Sequence, residues 1–204
     1  MLLATNLLGK HSDFVIQGIN RLLSFEVTGG GFSLFGKAPA NPALTAYGIL
    51  EFRVIVDYLS RRNIHKDLLK SVEDALARAE AWLLSKESIE SNWCQKTMMD
   101  WIGRSSCETT TAYIYYALSH HEVTQDIREA IMKSYEHIIQ NSDQTSTYVL
   151  ALHGLTMHNL EENEKAALLR SMLRKRQTKE GYFKEGKETI TSLRAFSLLT
   201  CRKW

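Results

Sequence analysis

Only two prolines interrupt the 204 residues of this chain, Pro39 and Pro42, and both fall between Ala38 and Ala43. Proline lacks the backbone N–H and clashes with the preceding helical turn, so the stretches on either side are open to unbroken helices. The segment that holds the prolines is itself a junction. Gly29, Gly30 and Gly31 supply backbone angles closed to other residues, and Phe32 and Phe35 give the turn apolar anchors. Asn41-Pro42 then suits the N-cap and first position of a new helix.

Apolar periodicity predicts helices over 12–26, 41–61, 66–86, 106–120, 123–140, 144–159 and 161–176, and a last one from Thr189 to Trp204. Loops are expected at 27–40, at 87–105 with Trp93 and Trp101, and at 177–188 with Gly181 and Gly186. No stretch reads as a strand, so the fold class is all-α. The helices alternate in character. Those at 41–61, 106–120, 144–159 and 189–202 are apolar around most of their circumference. Those at 12–26, 66–86, 123–140 and 161–176 pair one apolar face with one charged face. An all-round apolar helix is buried on most sides and an amphipathic one on a single side. The alternation therefore implies an inner and an outer layer stacked around one continuous core.

Net charge is +2, from 25 basic and 23 acidic residues, which attracts neither nucleic acid nor an anionic membrane surface. No apolar run is long enough to span a bilayer. The segment from Met1 to Lys10 lacks a basic n-region and reads as a helix entered part-way rather than a signal peptide. Cys94, Cys107 and Cys201 have no metal-ligand spacing. They read as buried or partly buried free thiols, with a bridge open to them if the chain is exported.

The turns that follow outer helices share a pattern. Gln177, Glu180, Gly181 and Phe183 present a polar residue, an acid, a glycine and an aromatic at fixed offsets. Glu26, Gly29, Gly30 and Phe32 occupy the same offsets, as do Glu87, Glu90, Ser91 and Trp93. In each, the small residue makes the turn, the aromatic plugs between helices and the polar residue is free to cap. This resembles the Gln–Trp-type repeat of alpha/alpha-toroid proteins, in which inner and outer helices pair into a barrel. That superfamily includes terpene cyclases, protein prenyltransferases and the thioester domains of alpha-macroglobulins and complement components.

Within it, Arg21-Leu22-Leu23-Ser24-Phe25-Glu26, Gly29 to Gly36, Ala38-Pro39-Ala40-Asn41 and Leu44-Thr45-Ala46-Tyr47-Gly48-Ile49-Leu50-Glu51-Phe52 resemble the signature of the thioester domain of bacterial alpha-macroglobulin-like proteins. Leu34 stands where that family usually has Trp. Trp82-Leu83-Leu84-Ser85, Glu108 to Ile114, Tyr148 to Leu152, and Gly181-Tyr182-Phe183 with Thr189-Ile190-Thr191 continue the likeness in order over nearly the whole chain.

The resemblance implies a non-enzymatic part of a complement-like, protease-trapping defence protein, a broad-spectrum endopeptidase inhibitor. Its partners would be host or foreign proteases and the other domains of the parent, and its location periplasmic, cell-surface or extracellular. In that family a Cys sulfur and the Gln three residues later, in Gly-Cys-x-Glu-Gln, form a reactive thioester. Here Thr97 follows Cys94 at that distance, Thr110 follows Cys107 and Trp204 follows Cys201, so no cysteine of this chain can close the ring. Residues 1–204 are thus expected to form one domain, the central fragment of an incomplete toroid, with self-association through an open edge.

No catalytic, cofactor-binding or metal residue is assigned. The acidic motifs of terpene cyclases, Asp-x-Asp-Asp and Asp-Asp-x-x-Asp, are absent. Asp100, Cys107 and His120 supply the residue types of a prenyltransferase zinc site, but nothing marks them as convergent. A toroid enzyme acting on an apolar substrate stays open as the alternative.

Several residues carry a bland reading beside a sharper one. His120-His121 would close a helix C-terminus. His153 and Met157 are read as core of an inner helix, with pocket lining as the alternative. His137 and His158 are surface or packing residues. The run Arg170, Arg174, Lys175, Arg176, Lys179 is read as a solvated outer face, or else a docking patch. Thr109-Thr110-Thr111 has no base beside it in sequence. Tyr47, Tyr113, Tyr115, Tyr116 and Tyr148 are core tyrosines or line a cavity. The loop from Trp93 to Gly103 holds no His of the kind that passes a thioester acyl group to hydroxyls, so an intact parent would prefer amines.

Overall fold

A computed structural model describes residues 12–85, 107–121, 123–185 and 188–189. The chain divides into two compact units, Met1–Ser88 and Ile89–Trp204.

The first unit contains α1 (Ser12–Leu23), α2 (Pro42–Arg62) and α3 (Lys66–Leu84). Helix α2 starts where the sequence marks it. Asn41 is extended, its Oδ1 accepts from the Leu44 N–H at 3.0 Å, and Pro42 fills the first turn, where no N–H is needed. It stops at Asn63, which adopts φ 50° and donates its N–H to the carbonyls of Leu59 and Ser60. Two residues on, His65 is also left-handed, at φ 51°, and the chain re-enters a helix as α3. Helices α2 and α3 pack together. Ala46, Ile49, Phe52 and Leu59 are buried on α2, and Val72, Ala75, Ala79 and Leu83 on α3. The alanines on α3 bring the backbones close, and each fully buried Ile, Leu or Phe contributes about 1.5–3 kcal/mol. Arg53 crosses from α2 to Glu80 at 2.6 Å. Among the described residues α2 is less enclosed than its all-round apolar sequence predicts, with Val54 46% exposed.

The second unit holds α4 (Cys107–Leu118), α5 (Gln125–Gln140), α6 (Thr147–Asn159) and α7 (Asn163–Arg176). Helix α6 packs on both α4 and α7. Ten of its residues are buried, Thr147 and the run from Val149 to Met157, so it is enclosed around most of its circumference. Helices α5 and α7 bury one face only, through Ile127, Ala130, Ile131, Tyr135 and Ile138, and through Ala166, Leu169 and Leu173. The inner and outer characters expected from the sequence are present in this unit.

Two of the differences from the expected boundaries come from strand pairing. Helix α1 ends at Leu23, and 24–26 turn away because Glu26 pairs with Phe32 as an isolated antiparallel bridge. The expected 177–188 loop carries a two-residue antiparallel ribbon, β1 (Lys184–Glu185) with β2 (Glu188–Thr189). The predicted final helix therefore does not start at Thr189, a β-branched residue that suits the ribbon; residues 190–204 lie outside the described residues.

Candidate functional site

The glycine-rich turn of the first unit and the turn after α7 share one backbone hydrogen-bond pattern, although Gly29 is left-handed and its counterpart Glu180 is not. In the first, the Val27 N–H donates to Gly31 O at 2.7 Å and the Gly30 N–H to Val27 O at 2.9 Å. In the second, the Thr178 N–H donates to Tyr182 O at 2.8 Å and the Gly181 N–H to Thr178 O at 3.0 Å. The flanking pairs Glu26–Phe32 and Gln177–Phe183 each form a lone antiparallel bridge. Gly30 and Gly181 take φ of 103° and 90°, a region that L side chains rarely adopt. Phe32 and Phe183 are both buried. The offsets read in the sequence thus correspond to one repeated turn. The third match, Glu87 to Trp93, lies outside the described residues.

The two turns differ at their first residue. The Gln177 amide donates to Gly181 O at 2.9 Å and closes its own turn. Glu26 occupies the same position but a carboxylate has no proton to donate there. It takes two hydrogen bonds from Arg78 on α3 instead, at 2.6 and 2.9 Å. The turn sits so close to α3 that a Cβ on Gly30 would fall 2.5 Å from Arg78 O, and one on Gly31 2.6 Å from the Trp82 ring.

The turn is also tied to α2. The Phe32 N–H donates to Thr45 Oγ1 at 2.9 Å, Thr45 Oγ1 donates to Asn41 O at 2.8 Å, and the Asn41 N–H returns to Phe32 O at 2.8 Å. Phe32 stacks at a tilt on Phe52, with centroids 5.3 Å apart. Both rings help wall an apolar pocket of about 170 Å³, together with Phe25, Leu34, Leu44 and Tyr47, and Glu51 also lines it. Phe35, next to it in the chain, is 78% exposed. The Lys37 N–H donates to Ser33 Oγ at 2.9 Å and fixes this loop.

His153 belongs to the core, as does Met157. The imidazole is 1% exposed and lies between three helices. Its Nδ1 is 3.3 Å from Val149 O one turn back on α6, and its Nε2 is 3.0 Å from Ser134 Oγ on α5. Its ring meets Tyr115 of α4 edge-on at 6.5 Å. A carbonyl can only accept, so Nδ1 carries the proton and Nε2 accepts from the serine hydroxyl. Burial pushes its pKa down to about 4. A base that weak, on a serine whose helix has no spare N–H at mid-length, is an interhelical tie rather than an activated nucleophile.

The other candidates separate. His120 lies past the end of α4, where its Nδ1 meets Tyr116 O at 2.9 Å, as a helix-closing residue does. Cys107, at the other end of α4, is disulfide-bonded, against the expectation of free thiols. Its partner, Cys94 or Cys201, lies outside the described residues, as does Asp100. A disulfide sulfur is not a thiolate ligand, and the twelve residues of α4 put about 18 Å between Cys107 and the helix end near His120. His137 is exposed beside Asn141, His158 is half-buried and Thr111 is buried. Tyr115 is core, and Tyr47 lines the pocket of the first unit. Among the described residues no helix is long and apolar enough to cross a membrane.

The basic run divides. Arg174, Lys175 and Lys179 are exposed at the C-terminal end of α7, where cations complement the helix dipole. Arg176 is no solvated residue. Its guanidinium donates to the carbonyls of Thr145, at 2.7 Å, and Ser142, and reaches Thr147 Oγ1 at 3.3 Å. It pins the turn that leads into α6. Past the other end of α6, Glu162 accepts from Lys165 at 2.7 Å and from Arg128 at 2.8 Å, which holds its pKa below the usual carboxylate value. Sequence reading missed the links of Arg176 and Arg128, because partners about thirty residues apart are not marked by spacing.

A family model described as the A-macroglobulin TED (thioester) domain matches residues 3–195. No curated protein and no solved structure matches the chain.

Proposed function

Since the chain belongs to the A-macroglobulin thioester-domain family, whose fold is the all-α alpha/alpha toroid, we propose that it is a non-enzymatic segment of a protease-trapping protein. The observation that carries this is the family match, which runs through both compact units. It supports reading residues 1–204 as one thioester-type domain. The repeated turn after α1 and α7 supports the same architecture.

In this reading the parent supplies the bait and the reactive bond. The chain itself contributes scaffold, since Cys94, Cys107 and Cys201 lack a Gln three residues on, and Cys107 is already oxidised to a disulfide. A structural disulfide fits an oxidising compartment, so a periplasmic, cell-surface or extracellular location is proposed. Its partners are the other domains of the parent and, through them, proteases.

The test is the reading frame around this segment together with methylamine uptake. A Gly-Cys-x-Glu-Gln upstream, covalent methylamine incorporation by the parent and none by this chain alone are the expected results. A parent without that motif and without amine uptake would remove the trap. Turnover of a prenyl diphosphate with zinc or magnesium would establish the toroid-enzyme alternative instead.

A further inference from the structure

We draw no further inference here: the strongest candidate, the apolar pocket walled by Phe25, Phe32, Leu44 and Phe52 in the first unit beside the exposed Phe35, carries nothing because nothing in the structure shows what covers it.

Discussion

Acidification should weaken the second unit through His153. The buried imidazole has its pKa lowered from 6.5 to about 4, whereas in the unfolded chain it titrates near 6.5. Above pH 6.5 both states are neutral there and the residue adds no pH dependence. Below it, the unfolded chain takes up a proton that the folded one refuses. Stability therefore falls with pH by up to about 1.4 kcal/mol per unit, and levels off near pH 4 with a total loss of about 3 kcal/mol. The assay is urea unfolding from pH 7.5 to 4 on the wild-type chain and on His153→Gln. Glutamine leaves Ser134 a partner but does not titrate. Carboxylates such as Glu162 titrate in both proteins, so the difference between the two curves isolates the imidazole. The variant is expected to be less stable at pH 7.5 and to close most of that gap by pH 4. Parallel curves throughout, or a His153 NMR titration with a midpoint above 6, would refute the reasoning.

Leu34→Trp should fill part of the 170 Å³ pocket. The added side-chain volume of about 60 Å³ is worth roughly 1.5 kcal/mol, seen as a higher urea midpoint; a lower midpoint would mean the pocket cannot take the ring. Arg176→Ala should cost about 2–3 kcal/mol, since it strips charge-assisted bonds from Ser142 O and Thr145 O, while Arg174→Ala, an exposed neighbour, should change the same unfolding curve by less than about 0.5 kcal/mol. Gly30→Ala should cost well over about 3 kcal/mol because its Cβ meets Arg78 O, and Gly29→Ala, at the same φ of 103° with open space around it, only about 1–2 kcal/mol in a thermal melt. Glu26→Gln should lower stability by less than about 1 kcal/mol and flatten its dependence on salt, because it trades the Arg78 ion pair for an amide able to close its own turn as Gln177 does.

Layering was legible because burial writes itself into composition. The unbroken apolar run of α6 and the one-sided patterns of α5 and α7 are local properties, and the structure buries them accordingly. The repeated turn was legible for a related reason: only glycine tolerates φ near 100°, so Gly30 and Gly181 had to be glycines and the aromatics had to follow at a set distance. What stayed hidden depends on partners far apart in sequence. Glu26 finds Arg78 52 residues away, and Arg176 finds Ser142 across a helix and two turns. A run of Arg and Lys at a helix end looks solvated whether or not one member folds back. The pocket beside Phe32 was equally invisible, since a gap is a property of several side chains jointly failing to fill a space. Left-handed His65 has no glycine to announce it.

The substitution of an acid for an amide at the head of the repeated turn changes what each turn depends on. At the head of the turn after α7, Gln177 closes on the turn itself rather than on another helix, and the buried Phe183 anchors the turn in the core. The turn after α1 is bound to α3 through Arg78 and to α2 through Thr45, so its opening requires those ties to break with it. One motif thereby carries two kinds of closure. Near α1 the head residue ties the turn to a neighbouring helix, and near α7 it ties the turn to itself.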